Sequence, residues 1–327
     1  MKTIKINFCG FWGSFNKENN FFTNILSKHF NIEISEKPDF VICSNRGKPF
    51  EYMKYDCVRL MVMGENLSPD FTVFDYCIGF DYLTFGDRYF RLQQAFYNDA
   101  GKPWEPKTLT REEATDLLAK KTHFCNFIYR HPSSHGIREK LFKTLSEYKP
   151  VVSAGHLFNN TGSKNGCTWA EKHEIVKSSK FTIACDSVEY NGFVTEKIID
   201  AFDNHSIPIY FGNKKIDDEF NTNAFIWCKT ESDFENTIER IKHLDTHDEE
   251  YIDMLSQNPL NNPDAIKTRY EELERFLVNI FSQEPFDAFR RVKYYCAEEH
   301  ERHLKAYNTI YTKTPDIVHR FINKFKR

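Results

Sequence analysis

Residues 181–212 read FTIACDSVEYNGFVTEKIIDAFDNHSIPIYFG and contain a strand, a polar loop, a helix and a second strand. The first segment, FTIAC, and the last, IPIYFG, are almost wholly apolar, and the helix TEKIIDAFDNH lies between them. Short apolar strands that are separated by helices are typical of a parallel sheet covered on both faces. The stretch therefore predicts an α/β fold that is built on a parallel sheet.

The same alternation recurs along most of the chain. Before residue 98 it predicts a helix at KENNFFTNILSKHF and strands at IKINF, NIEIS, DFVICS, CVRLMVMG and YCIGF. After residue 121 it predicts strands at HFCNFIYR, PVVSAG and AFIWCK, and helices at SSHGIREKLFKTLSEY, TWAEKHEIVKSS and ESDFENTIERIKHL. The polar segment between these two parts, with a glycine and two prolines, is the best linker. We predict two doubly wound domains that face a cleft, over residues 1–115 and 116–285, and a helical tail over 286–327.

Composition is consistent with two domains and favours a reducing compartment. The 327 residues are 40% hydrophobic, which is enough apolar material for a core in each domain. The nine cysteines are odd in number and form no C-x-x-C pair, so we interpret them as free thiols. The first residues resemble a strand more than a signal peptide, and no apolar stretch is as long as a membrane span. These features predict a cytoplasmic location.

Positive charge is concentrated at the C-terminal end. The whole chain has a net charge of −3, whereas residues 290–327 carry ten Lys or Arg against four Asp or Glu. On a helix, the apolar residues of this end fall largely on one side with basic residues around them: Ile317, Val318, Phe321, Ile322 and Phe325, with Arg320, Lys324, Lys326 and Arg327. Such a helix can lie on an anionic membrane surface, and a solvated terminal helix has the same pattern. Both interpretations stay open.

An acid and a base stand together where the loop of the opening stretch becomes a helix. Thr195 is a good N-cap, so Glu196 and Lys197 fall in the first helical turn at the carboxyl end of a strand. The free N–H groups of such a turn attract an anion, which would lie beside Lys197. Glu196 can accept hydrogen bonds from two vicinal hydroxyls, as on a ribose. The pair predicts a nucleotide diphosphate site, although an acid and a lysine in a first helical turn are also common on solvated surfaces.

A second candidate site follows the predicted strand CVRLMVMG. That strand ends in Gly64-Glu65-Asn66, which places Glu65 at a carboxyl end in the other domain. A lone carboxylate facing a sugar donor is suited to act as the general base for an acceptor hydroxyl. We assign Asn66 to the same acceptor side. A glutamate that merely ends a strand in a turn is the alternative.

Three segments resemble glycosyltransferase family 10, the α-1,3/4-fucosyltransferases. They are the opening stretch, with its specific V-T-E-K run and I-P-I-Y-F-G strand, MVMGENLSPDFTVFDYCIGFDYLTFGDRYFR and HTHDEEYIDMLSQNPL. The resemblance spans roughly residues 58–262. It implies a fold of the glycosyltransferase-B type with two Rossmann-like domains, GDP-fucose as the donor, and inversion at the anomeric carbon of fucose.

The resemblance also implies roles for residues that match the family's motifs. Glu65 would be the general base, Glu196 would hold the ribose, and Lys197 would hold the diphosphate. Phe193 would line the nucleotide, and Arg138 would help to neutralise phosphate.

Two further donor-binding residues, Tyr129 and Arg130, end the predicted strand HFCNFIYR. Where the family has F-E-N, this chain has Cys185-Asp186-Ser187, so Ser187 replaces an asparagine that usually helps to hold the donor. The loop SAGHLFNNTG lacks a phosphate-binding arginine that bacterial relatives usually have, near Phe158. Either Arg130 or Lys164 substitutes for it, or donor binding is weaker.

The function predicted from these residues is an inverting α-1,3-fucosyltransferase. Its acceptor would be a GlcNAc hydroxyl of an N-acetyllactosamine-type glycan, such as a Lewis-type antigen of lipopolysaccharide. The chain contains no D-x-D motif, so we expect no metal or other cofactor, with GDP-fucose as a substrate. The alternatives are a transferase that uses another GDP-sugar and a non-catalytic glycan- or nucleotide-binding protein. No feature indicates a nucleic-acid partner, and the oligomeric state is not predicted.

Overall fold

The computed structural model describes residues 1–96, 103–163, 165–313 and 318. The chain divides into two compact units. Among the described residues, unit 1 holds 1–92 together with the chain from 271 onward, and unit 2 holds 93–96 and 103–270. Each unit contains one all-parallel sheet, so the predicted α/β class with two doubly wound domains is confirmed.

Unit 1 is built on a six-stranded parallel sheet. Its elements are β1 (Thr3–Cys9), α1 (Phe21–Leu26), β2 (Asn31–Ile34), β3 (Phe40–Ser44), β4 (Val58–Val62), β5 (Tyr76–Gly79) and β6 (Tyr89–Arg91), with strand order β2-β1-β3-β4-β5-β6. Strand β6 was not predicted because it has only three residues. Helix α1 is shorter than predicted, because the Asn20 side chain accepts the Phe22 and Thr23 N–H groups and starts the helix there.

Unit 2 is built on a five-stranded parallel sheet in the order β11-β10-β9-β7-β8. Its elements are α2 (Arg111–Leu118), β7 (His123–Asn126), α3 (Ile137–Tyr148), β8 (Val151–Val152), α4 (Trp169–Ser178), β9 (Ser179–Ile183), α5 (Glu196–Asp203), β10 (Ile207–Tyr210), β11 (Ile226–Trp227), α6 (Phe234–Thr246) and α7 (Asp248–Leu255). The core lies between the sheet and its helices and includes Phe127, Phe181, Phe211, Ile241 and Leu244.

Helix α2 begins inside the segment that was predicted as a linker. The Thr110 hydroxyl accepts the Glu113 N–H, and the Glu113 carboxylate accepts the Thr110 N–H, which satisfies the first turn from both sides. Arg111 adds ion pairs to Glu249 and Asp253 of α7. The predicted boundary at residue 115 therefore falls within a helix of unit 2.

The chain returns to unit 1 through helix α8 (Ala265–Ser282). Within unit 1, the Phe281 ring lies 4.9 Å from the Phe40 ring of β3, and the Phe276 ring lies 5.5 Å from the Phe90 ring of β6. These contacts bury the apolar side of the second half of α8 against the sheet. The observed division at residue 270 replaces the predicted one at 285 for this reason.

The first part of the predicted tail is also packed on unit 1. This part of the chain contains helices α9 (Pro285–Ala288) and α10 (Cys296–Lys313). Between them, buried Arg291 forms an ion pair with the fully buried Asp75, and from α10 Glu301 pairs with Arg59. The amphipathic end that was predicted over 317–327 lies, except for Val318, outside the described residues.

Candidate functional site

The loop between β9 and α5 places polar groups at the carboxyl end of the sheet in unit 2. Helix α5 buries the side chains of Ile198 and Ile199, and this packing fixes the orientation of the helix. Its first turn then lies next to the loop. Gly192 has φ 90° and donates its N–H to the buried Asn213 side chain at 3.0 Å. A residue with a Cβ is strained at that φ, so the glycine allows this turn.

Thr195 is the N-cap residue of α5, as predicted, but its hydroxyl does not cap the helix. It donates instead to the Asp186 carboxylate. The N–H groups of the first turn therefore donate no hydrogen bond to the N-cap side chain. An uncapped first turn is a favourable place for an anion.

Glu196 and Lys197 stand beside this turn and reach solvent. Their side chains are 51% and 25% exposed, and the Lys197 Nζ lies 3.1 Å from both Glu196 Oε1 and Thr195 Oγ1. Burial raises the pKa of Glu196, but the charge of Lys197 and hydrogen bonds outweigh it, so the net shift is downward. Glu196 is therefore ionised at neutral pH and can accept hydrogen bonds from hydroxyl groups.

Asp186 is a buried acid that was not predicted as a site residue. It is 1% exposed and accepts hydrogen bonds from Thr195 and, at 2.7 Å, from the Tyr210 hydroxyl. Burial raises its pKa to about 6. A Cβ at Gly212 would lie 2.9 Å from Asp186 Oδ2, so the glycine leaves room for the carboxylate. Its position in the altered triplet was the only signal in the sequence.

Arg138 lies at the start of α3, as predicted, but it is buried. Its guanidinium lies 3.9 Å over the Tyr129 ring and donates to the His131 carbonyl oxygen. The Nε atom has no hydrogen-bond partner in the described part of the chain, although Glu139 lies 3.6 Å away. Arg138 thus contributes a cation from beneath the surface of this loop region.

Tyr129 is buried against Arg138, and its hydroxyl faces the protein. The hydroxyl lies 2.7 Å and 3.1 Å from the carbonyl oxygens of Ile183 and Cys185, to which it can donate. This placement differs from the predicted direct contact with the donor, because the hydroxyl is directed at backbone carbonyl oxygens at the end of β9 and just after it. Strand β7 ends at Asn126, four residues before Arg130 and earlier than predicted.

The other predicted donor residues differ in their exposure. Arg130 is exposed and forms no hydrogen bond or ion pair with any residue that the structure describes. Ser187 is exposed, and its carbonyl oxygen accepts the Ser134 N–H at 2.9 Å. Phe193 is only 4% exposed, which is at odds with an aromatic wall open to the nucleotide.

The loop that lacks the expected arginine is occupied by an aromatic stack. Phe158 has φ 56°, and its ring stacks on that of Phe142 with centroids 5.0 Å apart. The Lys143 Nζ lies 5.7 Å from the Phe158 ring. Lys164, one of the two predicted substitutes, lies outside the described residues.

In unit 1, Glu65 and Asn66 lie on an exposed turn just after β4. The turn is shaped by Gly64, whose N–H donates to Asn45 Oδ1 at 2.8 Å. The Glu65 side chain is exposed, and its carboxylate forms no hydrogen bond or ion pair with the described residues. The predicted location of both residues at a strand's carboxyl end is confirmed.

Other features of the described residues do not belong to this site. A cavity of about 850 Å³ beside β11, α6 and α7 is lined by residues such as Trp227 and Arg240, and by none of the predicted site residues. No group of three or more His, Cys, Asp or Glu suited to a metal ion occurs in the part of the chain that the structure describes. In the same part, no helix combines the length and apolarity needed to cross a bilayer.

Comparison with known families gives two matches, one in each half of the chain. The alpha-(1,3)-fucosyltransferase FucT N-terminal domain matches residues 6–97, and the glycosyltransferase family 10 (fucosyltransferase) C-terminal domain matches residues 118–259. Helicobacter pylori alpha-(1,3)-fucosyltransferase FucT is 31% identical over 310 residues, which are 83% of this chain and 63% of that protein. The chain thus spans less than two thirds of the length of this relative.

Other relatives and solved structures agree. A putative fucosyltransferase of Acanthamoeba polyphaga mimivirus is 29% identical over 48% of this chain and 27% of its own length. A crystal structure of an alpha1,3-fucosyltransferase with GDP is 29% identical, has a TM-score of 0.65, and covers 84% of this chain and 90% of the other. A structure with GDP-fucose has a TM-score of 0.64 at 28% identity, with the same coverage. The fold is therefore of the glycosyltransferase-B type, and the chain belongs to glycosyltransferase family 10.

Proposed function

We propose that this chain is a fucosyltransferase that moves L-fucose from GDP-fucose to a hydroxyl of a glycan. The observation that carries the proposal is the uncapped first turn of α5, with Lys197 and an ionised Glu196 beside it. Similar solved structures contain GDP and GDP-fucose, which is the ligand class that this arrangement suits.

The donor is held by charge and by hydroxyl recognition. The diphosphate lies at the first turn of α5, where backbone N–H groups and the Lys197 ammonium stabilise its charge. Arg130, exposed and unpaired among the described residues, adds a second cation. Glu196 accepts hydrogen bonds from the two ribose hydroxyls. These cations take the place of a metal ion, so we propose that transfer requires no metal and no other cofactor.

The chemistry is a single displacement. The Glu65 carboxylate removes the proton from the acceptor hydroxyl as that oxygen attacks the anomeric carbon of fucose. The bond from that carbon to the diphosphate breaks, GDP departs with the electron pair, and the anomeric configuration is inverted. Lys197 and the first turn of α5 stabilise the charge that develops on the leaving diphosphate.

The acceptor is proposed to be the 3-hydroxyl of GlcNAc in an N-acetyllactosamine-type glycan, as in a Lewis-type lipopolysaccharide. The support is the name of the Helicobacter pylori relative, which specifies an alpha-(1,3) linkage. We further propose that the enzyme acts in the cytoplasm on lipid-linked glycans. The net positive charge of residues 290–327 would then attract it to the inner face of the membrane.

A transfer assay tests the proposal. The protein is incubated with GDP-fucose and separately with lactose, N-acetyllactosamine and lacto-N-biose, and NMR identifies the product linkage. We expect an α-linked fucose on GlcNAc of N-acetyllactosamine. Transfer only from another GDP-sugar, such as GDP-mannose, would support the first alternative. Binding of GDP by saturation-transfer NMR without any transfer would support a non-catalytic protein.

A further inference from the structure

Beneath the candidate donor site, a chain of hydrogen bonds converges on one carboxylate. The Lys197 ammonium lies 3.1 Å from the Thr195 hydroxyl, which contacts Asp186 Oδ1. On the other side, the Asn213 N–H lies 2.9 Å from the Tyr210 hydroxyl, which lies 2.7 Å from Asp186 Oδ2. Asp186 thus joins the start of α5 to the end of β10.

The direction of every bond in this chain is determined by the groups that can only donate. An ammonium and a backbone N–H have no acceptor, so each hydroxyl oxygen receives one hydrogen bond from them. The single proton of each hydroxyl then remains for Asp186. Both oxygens of Asp186 therefore face a donor, an arrangement that suits the ionised carboxylate.

Protonation of Asp186 is incompatible with this arrangement. A protonated carboxyl must donate its proton to one of the two hydroxyls, and that hydroxyl already receives a hydrogen bond and gives its own proton to Asp186. One link must then break or turn round. If the Thr195 hydroxyl is the one that turns, its proton competes with the Lys197 ammonium for the remaining side of the oxygen, and Asp186 no longer carries the negative charge that attracts Lys197. Lys197 is then held chiefly by Glu196.

We propose that Asp186 is a positioning residue for the donor diphosphate: its carboxylate, acting through the Thr195 hydroxyl, holds Lys197 in place, and its protonation releases Lys197. This inference rests on the proposed function, because it assigns the diphosphate to Lys197. Asp186 is buried and acts only through Thr195. With Thr195 and Glu196 each taking one N–H, the Lys197 ammonium presents its third N–H to the ligand.

The titratable groups around Asp186 place its protonation in a pH range that can be tested experimentally. Burial raises the pKa of Asp186 to about 6, with Lys197 of α5 opposing that rise and Glu196 adding to it. Tyr210 of β10 donates to the carboxylate, and burial raises its own pKa. A folded-state pKa above the ordinary value means that Asp186 binds its proton as the pH falls through about 6.

Three other titratable groups face the same loop. Cys185 and Tyr129 both have a pKa that burial raises, so they stay neutral in this range. His135 lies 3.0 Å from the Asp186 carbonyl oxygen through Nε2, and burial lowers its pKa. Its titration does not depend on the Thr195 hydroxyl, which allows the two effects to be separated.

The test is the affinity for GDP-fucose, measured by calorimetry without acceptor as a function of pH. GDP-fucose is preferred to GDP because a terminal phosphate has its own pKa of about 6. Between about pH 7.5 and pH 5, we expect the affinity of the unmodified protein to fall about tenfold, with a midpoint near pH 6, since only the fraction with ionised Asp186 holds Lys197. A pH-independent affinity would refute the positioning role of Asp186 without contradicting the proposed function. Absence of GDP-fucose binding at every pH would instead refute the proposed function.

Variants of the two hydroxyls make the test specific. Thr195→Val removes the link, so its affinity should be about tenfold lower at pH 7.5 and should no longer vary with pH. Thr195→Ser keeps the hydroxyl and should restore the normal profile. Tyr210→Phe removes one hydrogen bond to the carboxylate and should move the midpoint to higher pH. Two results would contradict the positioning role of Asp186. One is a Thr195→Val variant whose affinity varies with pH as in the unmodified protein. The other is a folded Thr195→Ser variant whose affinity does not vary with pH.

Discussion

Two loops carry the candidate carboxylates, and they are built in opposite ways. The turn after β4 in unit 1 leaves Glu65 exposed and unpaired among the described residues. In the loop between β9 and α5 in unit 2, Asp186 is buried and accepts two hydrogen bonds from hydroxyl groups. Where this loop becomes α5, Glu196 forms an ion pair with Lys197. A carboxylate without fixed partners can take up a proton from a substrate, whereas one that accepts fixed donors orients other groups. The difference supports the proposed division of roles, with proton transfer at unit 1 and donor binding at unit 2.

The largest effect is expected from Glu65→Gln. The amide keeps the size of the side chain but cannot accept the acceptor's proton, so turnover should fall about 100-fold or more. Affinity for GDP should be unchanged, because all of the proposed donor contacts lie on unit 2. Steady-state kinetics and calorimetry measure the two quantities.

A matched control for this substitution lies on the same unit. Glu36 is exposed and follows β2, as Glu65 follows β4, and Glu36→Gln makes the same change in charge. It should leave turnover normal. Near-normal transfer by Glu65→Gln would show that the unpaired carboxylate is not the base, and the contrast between the two loops would lose its meaning.

The next largest effect is expected from Lys197→Ala. The substitution removes a charge-assisted hydrogen bond to the diphosphate, so affinity for GDP should fall about 30-fold, which corresponds to about 2 kcal/mol. Calorimetry measures it, and Lys177→Ala, an exposed lysine in the last turn of α4, serves as the control. Equal GDP affinities for the two variants would exclude a diphosphate at the start of α5.

The solvent-accessible charged residues of these two loops could be located from the sequence, because each lies close to the end of a strand along the chain. The start of α5 and the turn after β4 each follow an apolar strand, and in a parallel sheet the carboxyl ends of strands form the ligand edge. The positions of Glu65, Glu196 and Lys197 were therefore predictable without any long-range information.

The buried groups could not be predicted, because they depend on contacts between distant positions. Asp186 accepts a hydrogen bond from Tyr210, which lies 24 positions further along the chain on β10, and no sequence periodicity indicates that two hydroxyl groups will surround a carboxylate. The pairing of Asp75 with Arg291 joins residues 216 positions apart and brings the end of the chain back to unit 1. Phe193 was assigned to the donor from its match to a family position, and Tyr129 from its place at the end of a predicted strand, but both side chains are buried.

A smaller effect is expected from Arg130→Ala. This exposed cation has no partner among the described residues, so solvent screens its attraction to the diphosphate, and GDP affinity should fall about threefold. The effect should weaken further as salt is added. Lys120→Ala removes the same charge before β7 instead of after it and should change nothing. A loss with Arg130→Ala as large as that with Lys197→Ala would instead identify Arg130 as the substitute for the missing loop arginine.

The smallest effect is expected from removal of divalent cations. If the diphosphate is neutralised by Lys197, Arg130 and the first turn of α5, a metal ion has no further charge to neutralise, and EDTA should leave the transfer rate unchanged. The rate is measured with GDP-fucose before and after chelation, and again after addition of manganese. Loss of transfer that only manganese restores would mean that the cations of unit 2 are insufficient, and the division of roles between the two loops would then need a metal ion at the donor.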